Sequence, residues 1–77
     1  MAERKRYYVN PREDGRWEVV QEGAKRASAV GDTKSDIVKR GAEIAQGAGN
    51  SQLIIRKKDG TFQSERTYGK DPYPPKG

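Results

Sequence analysis

The residues of this sequence that could do chemistry are almost all charged. Lysine and arginine account for 16 of the 77 residues and aspartate and glutamate for 11, while histidine and cysteine are both absent. Without an imidazole or a thiol, the usual general bases, nucleophiles and metal ligands reduce to carboxylates. The sequence therefore predicts a protein that is not an enzyme and that uses no cofactor, metal ion or disulfide bond.

The carboxylates lie where they would serve structure rather than catalysis. Glu13 and Asp14 fall in a segment rich in turn residues, and Asp32 and Asp36 flank a predicted helix start. Side-chain oxygens at such positions commonly accept main-chain hydrogen bonds. Asp59 precedes a glycine without the alternating acidic residues of a calcium loop. These residues are therefore interpreted as turn acceptors and caps.

The basic residues are the clearest functional signal. Three short clusters are candidates for binding a nucleic-acid backbone: Arg4, Lys5 and Arg6; Lys25 and Arg26; and Arg56, Lys57 and Lys58. Such side chains neutralise phosphates and release counterions, so the binding they support weakens steeply as salt rises. Tyr7 and Tyr8, where exposed, could also stack on unpaired bases. The leading prediction is a non-enzymatic nucleic-acid-binding protein.

Other interpretations of these residues stay open. The basic residues are interspersed with acidic ones, as on any soluble protein surface. Trp17 and the tyrosines could fill a core or an interface, because the chain is poor in large aliphatic residues. The alternative function is a protein-interaction module that uses a sheet edge or a proline-rich tail. The candidate tail residues are Tyr68, Pro72, Tyr73, Pro74 and Pro75.

A small set of elements must position these residues. Strand-forming and alternating residues predict strands near residues 6–10, 16–22, 26–30, 51–57 and 61–66. Asp59 and Gly60, between the last two strands, favour a tight type I′ hairpin. One helix is predicted from about Lys34 to Ala48, with Asp32 or Thr33 as its N-cap. Gly41 lies in the narrow apolar face of this helix and is expected to let it approach a sheet closely.

This order of elements predicts a single α+β domain, a small antiparallel sheet with one helix packed on one face. Residues 1–5 are expected to form a flexible basic start, residues 6–66 the domain, and residues 67–77 an extended tail. The low apolar content also makes disorder of the whole chain an alternative interpretation. The turn-bounded strands and the capped helix argue against it. No segment has the length or apolarity of a membrane span or signal peptide, so a cytoplasmic location is expected.

The sheet is expected to keep one apolar face without a cover. Leu53, Ile54 and Ile55 in succession place apolar side chains on both faces, although one helix covers only one. Tyr8, Val20 and Ile54 are expected to share the second face. A second copy of the chain would bury it, so a homodimer is predicted.

Several stretches of the sequence are shared with a known family: residues 9–11 (VNP), 15–19 (GRWEV), 22–28 (EGAKRAS), 32–34 (DTK), 58–60 (KDG) and 68–75 (YGKDPYPP). Through them the chain resembles a family of small bacterial domains, domain of unknown function 2188. The resemblance implies a small sheet packed on one helix and brings no activity, cofactor or catalytic residue. Family members often carry a histidine where this chain has Tyr8, so no role of that histidine transfers.

Overall fold

The computed structural model describes residues 5–69 as five strands and one helix. In chain order these are β1 (Lys5–Pro11), β2 (Trp17–Gln21), β3 (Ala27–Gly31), α1 (Lys34–Ala48), β4 (Ser51–Arg56) and β5 (Phe62–Tyr68). The predicted α+β class and the single helix on one face of the sheet are confirmed. The sheet is slightly longer than predicted, since Lys5 begins β1 and Thr67 and Tyr68 belong to β5. Within residues 5–69, no helix is long and apolar enough to cross a membrane.

The five strands form one mixed sheet in the order β3-β2-β1-β4-β5. Neighbouring strands are antiparallel except for the central pair, β1 and β4, which are parallel. The prediction of a wholly antiparallel sheet is therefore wrong at its centre. The reason is the helical connection, because α1 runs from the end of β3 back to the other end of the sheet, where β4 begins beside the start of β1.

The core lies between α1 and one face of the sheet. Its buried hydrophobic residues are Tyr7, Val9, Val19, Ile37, Ala45, Leu53 and Ile55. Those on one strand are two positions apart, as the alternation of side chains requires. A Cβ atom on Gly41 would lie 3.0 Å from Leu53 Cδ1 and 3.3 Å from Val19 Cγ2. The predicted role of Gly41, close approach of the helix to the sheet, is confirmed.

A side-chain hydrogen bond from outside the helix caps each end of α1. Thr33 is the N-cap, and its Oγ1 accepts a bond from the main-chain N–H of Asp36 over 3.1 Å. This selects Thr33 from the two predicted cap residues. At the other end the Ser51 hydroxyl donates to the carbonyl oxygen of Ala45 over 2.6 Å.

The turns after β1 and β4, here called the hairpin turns, share one hydrogen-bond pattern and lie at the same end of the sheet. In the second turn the N–H of Gly60 donates to the carbonyl of Lys57 over 2.8 Å, and the N–H of Lys57 donates to Thr61 over 2.7 Å. The loop therefore holds three residues, and the predicted two-residue type I′ turn is wrong. A three-residue loop needs the left-handed conformation at its last position, where Gly60 has a φ of 90°.

Candidate functional site

The sheet separates the predicted basic clusters into two groups. Lys5 and Arg6 begin β1, and residues 22–26 connect β2 to β3 at the same end of the sheet. The main-chain N–H of Glu22 donates to the carbonyl oxygen of Arg6 over 2.8 Å, which holds the two segments together. Lys5, Arg6, Lys25 and Arg26 are all exposed, and we call these four residues the basic end. Arg4 lies outside the described residues.

The third predicted cluster lies at the opposite end of the sheet. Lys57 and Lys58 follow β4, which runs parallel to β1. Lys5 and Lys57 are therefore separated by the length of β1, roughly 20 Å at 3.3 Å per residue. The eight basic candidates do not form one continuous surface.

Salt bridges distinguish the two ends. The pairs that form are Arg12 with Asp14 at 3.5 Å, Arg12 with Glu18 at 3.0 Å and Arg16 with Asp32 at 3.4 Å. All of them lie near the turn between β1 and β2, at the end that holds Lys57 and Lys58. Among residues 5–69, Arg56, Lys57 and Lys58 form no salt bridge, and neither do the four side chains of the basic end. Their charge is therefore not offset by a contacting carboxylate in this part of the chain.

Asp14 and Asp59 accept hydrogen bonds inside their own turns. The main-chain N–H of Arg16 donates to Asp14 over 3.0 Å and lowers the pKa of Asp14 below its usual value of 3.8. The Thr61 hydroxyl and N–H both donate to Asp59 Oδ1, over 2.6 and 3.0 Å, and lower the pKa of Asp59 below 3.8. Asp14 is thus the turn acceptor that the sequence predicts.

The two tyrosines of β1 point to opposite faces of the sheet. Tyr7 is 5% exposed and belongs to the core, so the prediction that it could stack on bases is wrong. Tyr8 is half-buried on the other face, and Arg56 Cζ lies 5.1 Å from the centroid of its ring. Trp17 packs against the core, and Lys34 Nζ lies 5.2 Å from its ring centroid. Tyr7 and Trp17 are therefore structural, as the alternative interpretation held.

The face of the sheet opposite α1 is not covered by any element within residues 5–69, and we call it the open face. Tyr8, Val20 and Ile54 form one row across its three central strands, and all three are half-buried. The prediction that these residues share the second face is confirmed. The row nearer the hairpin turns contains Val30, Glu18, Asn10, Arg56 and Phe62. Phe62 is 58% exposed and Val30 is 44% exposed.

The alternative partner-binding residues fall mostly outside the structure. Tyr68 is half-buried, pairs with Ser51 in the sheet and packs against the core. Its ring therefore stabilises the fold. Pro72, Tyr73, Pro74 and Pro75 lie outside the described residues.

Comparison with known proteins adds a family to this geometry. The sequence profile of a family described as uncharacterized proteins conserved in bacteria, DUF2188, matches residues 7–68. The chain belongs to this family. The match confirms the resemblance seen in the sequence. It includes Lys25, Arg26 and the open face of this DUF2188 domain, whereas Lys5 and Arg6 precede it.

A relative in Bacillus subtilis (strain 168) is the uncharacterized protein YdaT. It is 43% identical over 47 residues, which cover 61% of this chain and 31% of YdaT. The DUF2188 chain thus matches about a third of the length of that relative. No solved structure matches.

Proposed function

We propose that this protein is a non-enzymatic binding protein that holds the phosphate backbone of nucleic acids at its basic end. The observation that carries the proposal is the convergence of two separate segments, residues 5–6 and 22–26, on one end of the sheet. Exposed lysine and arginine side chains neutralise phosphates and release counterions, which gives affinity that does not depend on base sequence.

The surroundings of the two ends favour the basic end over the hairpin turns. Acidic residues near the turns are Glu13, Asp14, Asp32 and Asp59, and salt bridges already engage Arg12 and Arg16 there. In residues 22–26 one acid, Glu22, accompanies Lys25 and Arg26. Because like charges dominate at the basic end, the local potential there attracts an anion more strongly.

The tyrosines favour recognition of the backbone over recognition of unpaired bases. Tyr7 is buried in the core, and Arg56 lies over the ring of Tyr8. Single-strand binding usually depends on exposed aromatic rings on which bases stack. Phe62 is exposed, but it pairs with Arg56 at the end of the sheet away from the basic end. We therefore expect this protein to bind duplexes with little preference for sequence.

Two matched double variants test the proposal. Lys25→Ala with Arg26→Ala removes two positive charges at the basic end, and Lys57→Ala with Lys58→Ala removes two from a hairpin turn. Each variant is titrated against a fluorescent DNA duplex at salt concentrations from about 50 to 200 mM. The first variant should lower the slope of log affinity against log salt by about two per bound chain, since each phosphate contact contributes about 0.9.

The second variant should keep nearly the wild-type slope. If the two variants lose the same amount of slope, binding depends on positive charge at either end of the sheet. That result would contradict the assignment of phosphate binding to the basic end. Absence of binding at about 50 mM salt would overturn the proposed function itself.

A further inference from the structure

The open face has an apolar centre, with charged residues placed on either side of β1. Its central row joins Val20 of β2, Tyr8 of β1 and Ile54 of β4. In the next row Glu18 pairs with Val30 on one side of Asn10, and Arg56 pairs with Phe62 on the other. This row therefore has an acid and an exposed apolar residue on one side of β1, and a base and an exposed apolar residue on the other.

We propose that two copies of this chain pair through their open faces, about a two-fold axis parallel to β1. Rotation about this axis exchanges the two halves of the face. Glu18 of each copy then faces Arg56 of the other while it keeps its salt bridge to Arg12 of its own chain, and Val20 faces Ile54. Phe62 of each copy faces Val30 of the other, so the two most exposed large apolar side chains of residues 5–69 cover each other.

Asn10 supplies an observation that does not depend on charge. It lies on β1, hence on the proposed axis, and its Oδ1 is buried without a hydrogen-bond partner among the described residues. A carboxamide carries two donors and an acceptor, so two Asn10 side chains that meet at the axis can bond to each other after rotation about the last side-chain torsion. A buried polar atom without a partner is otherwise costly.

Charge selects this axis over the other symmetrical arrangement. A two-fold axis perpendicular to the strands would exchange the two ends of each strand and bring Glu18 opposite Glu22 of the other copy. Two carboxylates that face each other across an interface repel, and the removal of water strengthens this repulsion. The axis parallel to β1 instead brings opposite charges together at two equivalent places. It also brings Arg6, two positions before Tyr8 on β1, near Arg6 of the other copy, but Arg6 is exposed at the end of the face, where water and salt screen this single repulsion.

The open face is large enough for a reversible dimer. Five strands at about 4.8 Å and six residues at about 3.3 Å give a face of about 24 by 20 Å, or about 1,000 Å² for two copies. Specific protein interfaces begin near about 1,000 Å² of total buried surface. A weak dimer is therefore expected, independently of the nucleic-acid binding proposed above.

Exchange of the two charged residues tests the arrangement. The full chain is studied without nucleic acid by analytical ultracentrifugation from about 1 μM to about 1 mM. Wild-type protein should dimerise reversibly within this range. Glu18→Arg places arginine against Arg56, and Arg56→Glu places glutamate against Glu18, so each single variant should weaken the dimer at least about tenfold. The variant with both substitutions restores opposite charges and should recover dimerisation.

Glu43→Arg is the control for net charge, because Glu43 is exposed on α1 and the substitution changes the net charge as Glu18→Arg does. The variant with both substitutions is the control for the lost salt bridge between Arg12 and Glu18, because it too has arginine at position 18. It should leave the dimer unchanged. A monomer at all concentrations would overturn the proposal, and so would a dimer that survives both single variants, whose interface must lie at a strand edge or in the tail. Failure of the double variant to recover would also overturn it, whereas recovery excludes misfolding as the cause of the single-variant losses.

Discussion

The hydroxyl of Ser51 donates a hydrogen bond to the main-chain carbonyl oxygen of Ala45, with 2.6 Å between the two oxygen atoms. Ser51 is fully buried at the first position of β4, and Ala45 lies in the last turn of α1. The last four carbonyl groups of a helix accept no hydrogen bond from within the helix, so they need donors from elsewhere. This bond supplies one and fixes the end of α1 to the central strands.

Replacing Ser51 with alanine should therefore reduce stability more than a typical serine substitution. The Ala45 carbonyl would lose a donor in a buried place, which costs about 1–3 kcal/mol in the free energy of unfolding. Urea titration followed by circular dichroism measures the change. Ser28→Ala, at an exposed position in β3, is the control and should stay within about 0.5 kcal/mol of wild type. Equal stability of the two variants would contradict the structural role of Ser51.

Two glycines of α1 should respond to alanine in opposite directions. A Cβ atom at Gly41 would lie 3.0 Å from Leu53 Cδ1, whereas a Cβ at Gly47 would have no atom within 4 Å. Gly47→Ala should raise the free energy of unfolding by about 0.4–1 kcal/mol, because alanine restricts the unfolded chain. Gly41→Ala should lose this gain or lower stability by about 1–3 kcal/mol through overpacking. Urea titration checks both, and similar gains would show that α1 moves away from the sheet at little cost.

The turn carboxylate of Asp59 should make stability depend on pH. Hydrogen bonds from Thr61 lower the pKa of Asp59 in the folded chain below 3.8. The ionised form is therefore favoured by folding, so its stabilisation is full above pH 3.8 and disappears as the pH falls through the lowered folded pKa. Wild type should exceed Asp59→Asn in stability at neutral pH, and the difference should shrink on acidification.

Titration by NMR separates the contribution of the hydroxyl. Thr61→Val removes the hydroxyl donor and keeps the main-chain N–H, so the pKa of Asp59 should rise part of the way towards 3.8. An Asp59 pKa that does not change in this variant would contradict the hydrogen bond from the hydroxyl.

Local patterns in the sequence were sufficient to predict the helix and the open face. The bounds of α1 and the packing of Gly41 depend on residues close in sequence, and the structure confirms both. Of the two predicted cap residues, Asp32 and Thr33, it selects Thr33. Alternation placed Tyr8, Val20 and Ile54 on one face. The parallel pairing of β1 with β4 joins residues more than forty positions apart, and no local pattern records which strands become neighbours.

The candidate surfaces depend on the same long-range pairing. In the sequence, Arg56, Lys57 and Lys58 form a run of basic residues like the other two clusters. The direction of β4 places this run at the opposite end of the sheet. Phe62 reaches the open face because of a bulge that follows the pairing of Ile55. The bulge keeps Gln63 on the helix side, where Lys34 donates a hydrogen bond to it. Such an insertion has no signature in the alternation of β5.

The two proposals together predict that one substitution, Glu18→Arg, weakens duplex binding although it raises the net charge of the chain. A two-fold axis parallel to β1 leaves both copies of β1 running in the same direction, so the two basic ends lie at the same end of the dimer. A duplex that contacts both basic ends would bind more tightly, because the second set of cations binds without a second association step. Glu18→Arg should therefore weaken duplex binding, because it separates the copies, even though it makes each chain more positive.

Glu43→Arg adds the same charge without touching the open face and should bind duplex DNA as well as or better than wild type. The combined variant, Glu18→Arg with Arg56→Glu, should recover the wild-type affinity together with the dimer. Fluorescence anisotropy at one low salt concentration compares the three with wild type. If Glu18→Arg strengthens binding as much as Glu43→Arg does, each chain binds the backbone alone, and dimerisation makes no contribution to affinity.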